Sequence, residues 1–211
     1  VFVKPLVEAG YRVIAFDLPS HNESEPGVLA PGRTTAIECA KAIAAMIETH
    51  GTAFAVVAHS LGANATALAA AQGAHVGRLV FLAPMGDFPL YLDLFAARHG
   101  FGARIRGGLH RRLEKRIAMP LEETNMTRIG QRANYPPLLL IHDPDDPDSP
   151  YAASERLATS WRGAQLTTTR GLGRLAHYRI LRHRPAIRAG LEFIGHHQAD
   201  GTNAADQPST T

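Results

Sequence analysis

The chain has 211 residues and a formal net charge of +3; hydrophobic residues make up 45% and charged residues 19%. That length suits one domain, and that apolar fraction supports a packed core rather than a disordered chain. No apolar run reaches membrane-spanning length, and the small basic excess carries no nucleic-acid motif, so a spanning protein and a nucleic-acid binder are both excluded as readings.

Tyr11 to Phe16 (YRVIAF) reads as the first strand and ends at Asp17. Thr35 with Glu38 three residues on is a capping-box signature, and Ile37, Ile43 and Ile47 then mark the buried face of a helix. The only cysteine, Cys39, falls within this helix and reads as a small buried residue, compatible with a reducing, cytoplasmic setting. Ala53 to Ala58 (AFAVVA) is a near-continuous apolar run, as expected of a strand covered on both faces, and leads into His59-Ser60. An alanine-rich helix follows from Leu61 to Gln72 and closes at Gly73.

Arg78 to Leu82 is the third strand. Residues 87–134 form a longer insertion with two helical patterns. In the second, Ile105, Leu109, Leu113 and Ile117 recur every four residues, while Arg104, Arg106, Arg111, Arg112, Lys115 and Arg116 fill the other faces. This reads as a solvated helix over the sheet's upper edge, with a small substrate-selecting cap as the functional alternative. Pro137 to Ile141 is the fourth strand and Ala164 to Thr169 the fifth, with helices at Glu155 to Trp161 and Pro185 to Ile194. Strands alternating with helices imply an α/β fold, a mostly parallel sheet with helices on both faces. The domain is expected over residues 1–197, and the polar stretch 198–211 reads as a disordered tail. His196 and His197 are assigned no role.

Ala58-His59-Ser60-Leu61-Gly62 sits where a buried strand gives way to a helix. A sharp turn there holds a serine in a strained conformation, exposes its hydroxyl, and asks for small residues two positions to either side. The helix N-terminus supplies free N–H groups, and that of Leu61 is placed to donate to an oxyanion. Ser60 is therefore the candidate nucleophile.

A serine hydroxyl needs a base, and the base needs an orienting acid. After the fourth strand comes His142-Asp143-Pro144-Asp145-Asp146-Pro147-Asp148, in which mutual repulsion requires most aspartates to face water. Asp146 is the preferred acid, ahead of Asp148 and Asp143. After the fifth strand, His177 is the candidate base; His183 and His110 are weaker alternatives. His59 is expected to pack or bond locally, and His21 to bond to loop backbone. No cofactor or metal is expected, and Gly107-Gly108 lacks the strand and the further glycines of a nucleotide-binding loop.

With these residues in place, the sequence resembles the α/β-hydrolase family up to about residue 197. Phe16 to Ser24 is similar to the family's D-x-P-G-H-G-x-S loop, with Ser20 and Asn22 in place of two glycines. Ala58 to Gly62 resembles its nucleophile elbow, with Ala58 for the first glycine. Leu138 to Asp146 with Pro150 resembles its acid turn, where the acid commonly precedes a proline by four residues, which selects Asp146. Gly171 to Leu181 resembles its histidine loop, with Arg174 where many relatives place the histidine. Val1 to Ala9 resembles the helix that follows the family's H-G loop.

The resemblance implies three strands and an oxyanion loop upstream of Val1, so the expected domain is an N-terminally incomplete α/β-hydrolase fold with a short helical cap. It further implies that Tyr11 to Phe16 lacks its usual neighbour. Loss of one oxyanion donor lowers rate by roughly 10²–10³, so the isolated chain is expected to be weakly active or inactive even with an intact triad. The implied activity is hydrolysis of a small-molecule carboxylic ester through an acyl-enzyme. Other serine-dependent reactions of the fold (thioester, amide or C–C hydrolysis, acyl transfer) and a non-catalytic binding member are the alternatives. Oligomeric state, acyl group and leaving group are not legible.

Overall fold

The structure is a computed structural model that describes residues 1–28, 31–132 and 135–195. The tail expected at 198–211, with His196 and His197, lies outside the described residues.

Four parallel strands form one sheet in the order β1-β2-β3-β4: β1 (Val56–His59), β2 (Leu79–Leu82), β3 (Leu138–His142) and β4 (Gln165–Thr168). A bridge between Ala53 and Val76 extends the β1–β2 pairing toward its start. Parallel neighbours require crossovers, and here each contains a helix. Helix α3 (Leu61–Ala71) joins β1 to β2, and α7 (Tyr151–Ser160) joins β3 to β4. Between β2 and β3 lie α4 (Phe88–Arg98), α5 (Ala103–Ile117), a 3-10 turn (Leu121–Thr124) and α6 (Met126–Arg132).

Strand side chains alternate between the two faces. On one face, Leu79, Phe81, Leu138 and Leu140 pack with α3, with α2 (Ala36–His50), and with Met126, Ile129, Leu157 and Trp161 of the crossovers. On the other, Val80, Leu82, Leu139 and Ile141 meet Phe2 and Leu6 of the α1 (Val3–Glu8) segment and Ala186, Phe193 and Ile194 of α9 (Arg184–Gly195). All crossovers progress the same way along the sheet, so a common handedness puts their helices on one face and leaves α1 and α9 to cover the other.

Helix α2 starts at the expected capping box: Thr35 Oγ1 accepts from the Glu38 N–H, and the Glu38 carboxylate accepts from the Thr35 N–H. Helix α3 is buried on nearly every side, which explains its run of alanines; wider side chains would not fit between α2 and the sheet.

The strand expected over Tyr11 to Phe16 is not formed. Strand composition supplies donors and acceptors but not their partners, and no described strand lies beside this segment. Ile14 and Phe16 are accordingly exposed, while Tyr11 stacks on Phe54 at 5.6 Å and Arg12 donates to the His50 carbonyl. Strand β1 is thus an edge of the described sheet. No described helix is long and apolar enough to cross a membrane.

Candidate active site

The carboxyl ends of the parallel strands converge on one spot, where α/β sheets place ligands. The turn from β1 to α3 carries Ser60 at φ 52° and ψ −121°, a conformation that a non-glycine residue adopts only when its surroundings enforce it. They do so here: the Ser60 N–H donates to Leu82 O at 3.1 Å, and the Ser60 carbonyl accepts from the Met85 and Ala63 N–H groups. The N–H of Leu61 opens α3, within the first turn, where intrahelical bonding leaves donors free. The crowding expected at Gly62 is absent, since a Cβ built there meets nothing within 4 Å.

The structure brings Ser60, His177 and Asp146 together. His177 Nε2 lies 2.9 Å from Ser60 Oγ, and His177 Nδ1 lies 2.8 Å from Asp146 Oδ2. A carboxylate can only accept, so Nδ1 carries the proton and donates, leaving Nε2 to accept from the serine hydroxyl. His177 sits in a short helix, α8 (Ala176–Arg179), just beyond β4, and is buried.

Asp146 is fully buried at its carboxylate. Its Oδ1 accepts from the N–H groups of Asp148 and Ser149 at 2.8 and 3.0 Å. Its Oδ2 receives a second imidazole, the His142 Nε2 at 3.1 Å. Burial pushes this carboxyl up, but the bonds from His142, His177 and the two main-chain donors outweigh it, and the pKa stays well below the usual carboxylate range.

Of the competing residues, only Asp148 has its carboxylate near the site, within 4.8 Å of Asp146 and His177, and no hydrogen bond joins that carboxylate to either. Asp143 accepts from Thr169 Oγ1 at 3.1 Å and from the Asp145 N–H at 3.0 Å, pinning the acid turn to the end of β4. Asp148 bonds Asp146 through its main chain. His110 lies 3.0 Å from Asp93 on the insertion, His183 sits at the start of α9, and the His21 ring bonds the Pro19 carbonyl. His59 does more than the sequence suggested: its Nε2–H donates to the main-chain carbonyl of His177 at 2.8 Å, a distant rather than a local bond. Burial holds its pKa below the ordinary histidine value, with the bond to His177 opposing. His142 was given no role from sequence, because a histidine ending an apolar strand carries no local signal of its partners.

Asp146, Asp148 and His177 have potential ligand atoms within 4.8 Å of one another, but both nitrogens of His177 are already engaged by Asp146 and Ser60, so this is not read as a cation site. A cavity of about 260 Å³ opens beside the acid turn, between Asp146, Pro147, Asp148 and Pro150 on one side and Tyr91, Leu94, Phe95 and Arg98 of α4 on the other. A larger hollow of about 380 Å³ lies by Gly73, Gly77 and Tyr135 near the start of β2, and none of the site residues lines it.

The sequence profile of the Alpha/beta hydrolase family matches residues 1–191, and the chain belongs to that family. Its fold is shared with solved structures of low identity. A monoacylglycerol lipase from Paleococcus ferrophilus is 21% identical with a TM-score of 0.65, the match covering 92% of this chain and 86% of the lipase. A meta-cleavage product hydrolase from Pseudomonas fluorescens is 15% identical with a TM-score of 0.63, covering 92% and 84%. A hydrolase from Oleispira antarctica is 13% identical with a TM-score of 0.63, covering 92% and 84%. No curated protein matches. At such identities the likeness speaks for the α/β-hydrolase fold alone.

Proposed function

We propose that this α/β hydrolase is a serine hydrolase that cleaves a small carboxylic ester through an acyl-enzyme. The observation that carries the reading is the continuous relay from Ser60 Oγ through His177 to Asp146, with both links under 3 Å. In the first half-reaction His177 Nε2 takes the hydroxyl proton as Ser60 Oγ attacks the ester carbonyl carbon. The carbonyl oxygen, now negative, accepts the Leu61 N–H. Collapse of the tetrahedral species breaks the bond to the leaving alcohol, and His177 returns the proton to it. Water then repeats the sequence on the acyl-serine, freeing the acid and restoring Ser60. Throughout, Asp146 keeps the imidazole in the Nδ1–H tautomer and stabilises its charged form.

A cytoplasmic setting belongs to the same proposal, supported by the single, buried Cys39. The test is turnover of p-nitrophenyl acetate by the chain and by Ser60→Ala. The account expects turnover that, however slow, is lost in the variant. Turnover unaffected by the substitution would refute it.

A further inference from the structure

We propose that His142 is a positioning residue of the relay, holding the Asp146 carboxylate in place and limiting the negative charge it presents to His177; this rests on the serine-hydrolase reading above. His142 ends β3 and is wholly buried, in a strand that otherwise reads Leu-Leu-Leu-Ile. Burial alone would favour another aliphatic residue there, and a buried imidazole persists only with its polar atoms matched.

Both ring nitrogens are matched. Nε2 lies 3.1 Å from Asp146 Oδ2, the oxygen that also takes His177 Nδ1–H. Because that oxygen can only accept, His142 donates from Nε2. Its Nδ1 is then an acceptor, and the buried Ser154 hydroxyl of α7 reaches it at 2.7 Å. The Asp146 carboxylate thereby holds four donors, two imidazoles on Oδ2 and two main-chain N–H groups on Oδ1, which fills its acceptor capacity.

Every donor draws charge from the carboxylate. Without His142, Asp146 presents more negative charge to His177, the imidazolium gains stability, and His177 stays protonated to higher pH. A protonated His177 cannot take the serine proton. The remaining ionisable neighbours leave this bond to His142 alone. His59 stands 4.7 Å ring to ring from His177 and bonds its carbonyl; Tyr178 packs edge-on to His177 at 5.2 Å, and Tyr151 to His142 at 5.6 Å. Asp143 is turned to Thr169, and Asp148 lies beside Asp146 and His177.

The experiment compares the full chain with His142→Gln, whose amide nitrogen reaches where Nε2 stood, with His142→Asn, whose amide stops at the Nδ1 position, and with His142→Phe. The primary readout is titration of the His177 ring by NMR of ¹⁵N-histidine-labelled protein, which needs no turnover. The second is the acid limb of kcat/KM for p-nitrophenyl acetate. The proposal expects the His177 midpoint and the acid limb to rise together in Asn and Phe by on the order of half a pH unit or more, and to return in Gln. A His177 midpoint that is the same in Asn as in the unaltered chain, or that Gln fails to restore, overturns it. Should Phe not fold, Asn against Gln decides. Failure of a fluorophosphonate probe to modify Ser60 in the unaltered chain would sink the hydrolase reading, whereas the NMR titration still decides the action of His142.

Discussion

The Nε2 of His59 lies 2.8 Å from the main-chain carbonyl oxygen of His177, a bond between residues 118 apart in the chain. The residue before the candidate nucleophile therefore holds the segment that carries the candidate base. A misplacement of about 1 Å in such a relay lowers rate by up to about 10²-fold. His59→Ala is expected to lower kcat for ester cleavage on that scale, with KM little changed. A variant with unaltered kcat would show that the bond does not position His177.

The same histidine makes stability depend on pH. Its pKa is lowered in the folded chain by burial, so the unfolded chain binds the proton more readily. The contribution is complete above the unfolded value of about 6.5 and declines as pH falls below it. His59→Gln cannot titrate. Its melting temperature is expected to vary less between pH 7 and pH 5 than that of the unaltered chain, as read by calorimetry.

Asp146 acts in a lower pH window. Its carboxyl is held below the usual range, so its stabilisation is full above the unfolded value of about 3.9 and is lost as pH falls through and below it. Asp146→Asn removes this acid dependence and is expected to lower kcat by about 10⁴-fold. Asp148→Asn is the control: Asp148 touches Asp146 through its main-chain N–H, which asparagine keeps, so its kcat is expected within about 10-fold of the unaltered value.

Gly77 leads into β2 from the bridge that extends the sheet. A Cβ there would lie 2.6 Å from the main-chain oxygen of Phe54, and backbone cannot swing aside as a flexible side chain can. Gly77→Ala is expected to destabilise the fold by about 1–3 kcal/mol in urea unfolding. Thr35→Ala, which opens the capping box of α2, is expected to remove about 1 kcal/mol, a melting shift of roughly 2–4 °C at this chain length.

Local pattern was enough where local pattern determines structure. Leu138 to Ile141 is apolar because both faces of β3 are covered, and the Thr35–Glu38 pair marks the start of α2 by a bond it makes itself. The sharp turn at Ser60 was visible because strand, turn and helix follow one another in the chain. Asp146 could be separated from three neighbouring aspartates only by its spacing to Pro150. Tyr11 to Phe16 misled because strand propensity says nothing about whether a partner strand is beside it. The partners of His59 and His142 were not legible for the same reason in another form: His59, expected to bond locally, bonds a residue 118 positions away, and His142 gains its meaning from where Asp146 and Ser154 come to rest.

The central claim is that Ser60 is a nucleophile because His177 activates it. The most direct measurement is the rate at which a fluorophosphonate probe adds covalently to the chain, followed by intact mass and by mapping of the modified peptide. The account predicts one adduct, on Ser60, formed at least about 10³-fold more slowly in His177→Ala. An adduct on another residue, or equal rates with and without the His177 imidazole, would contradict it.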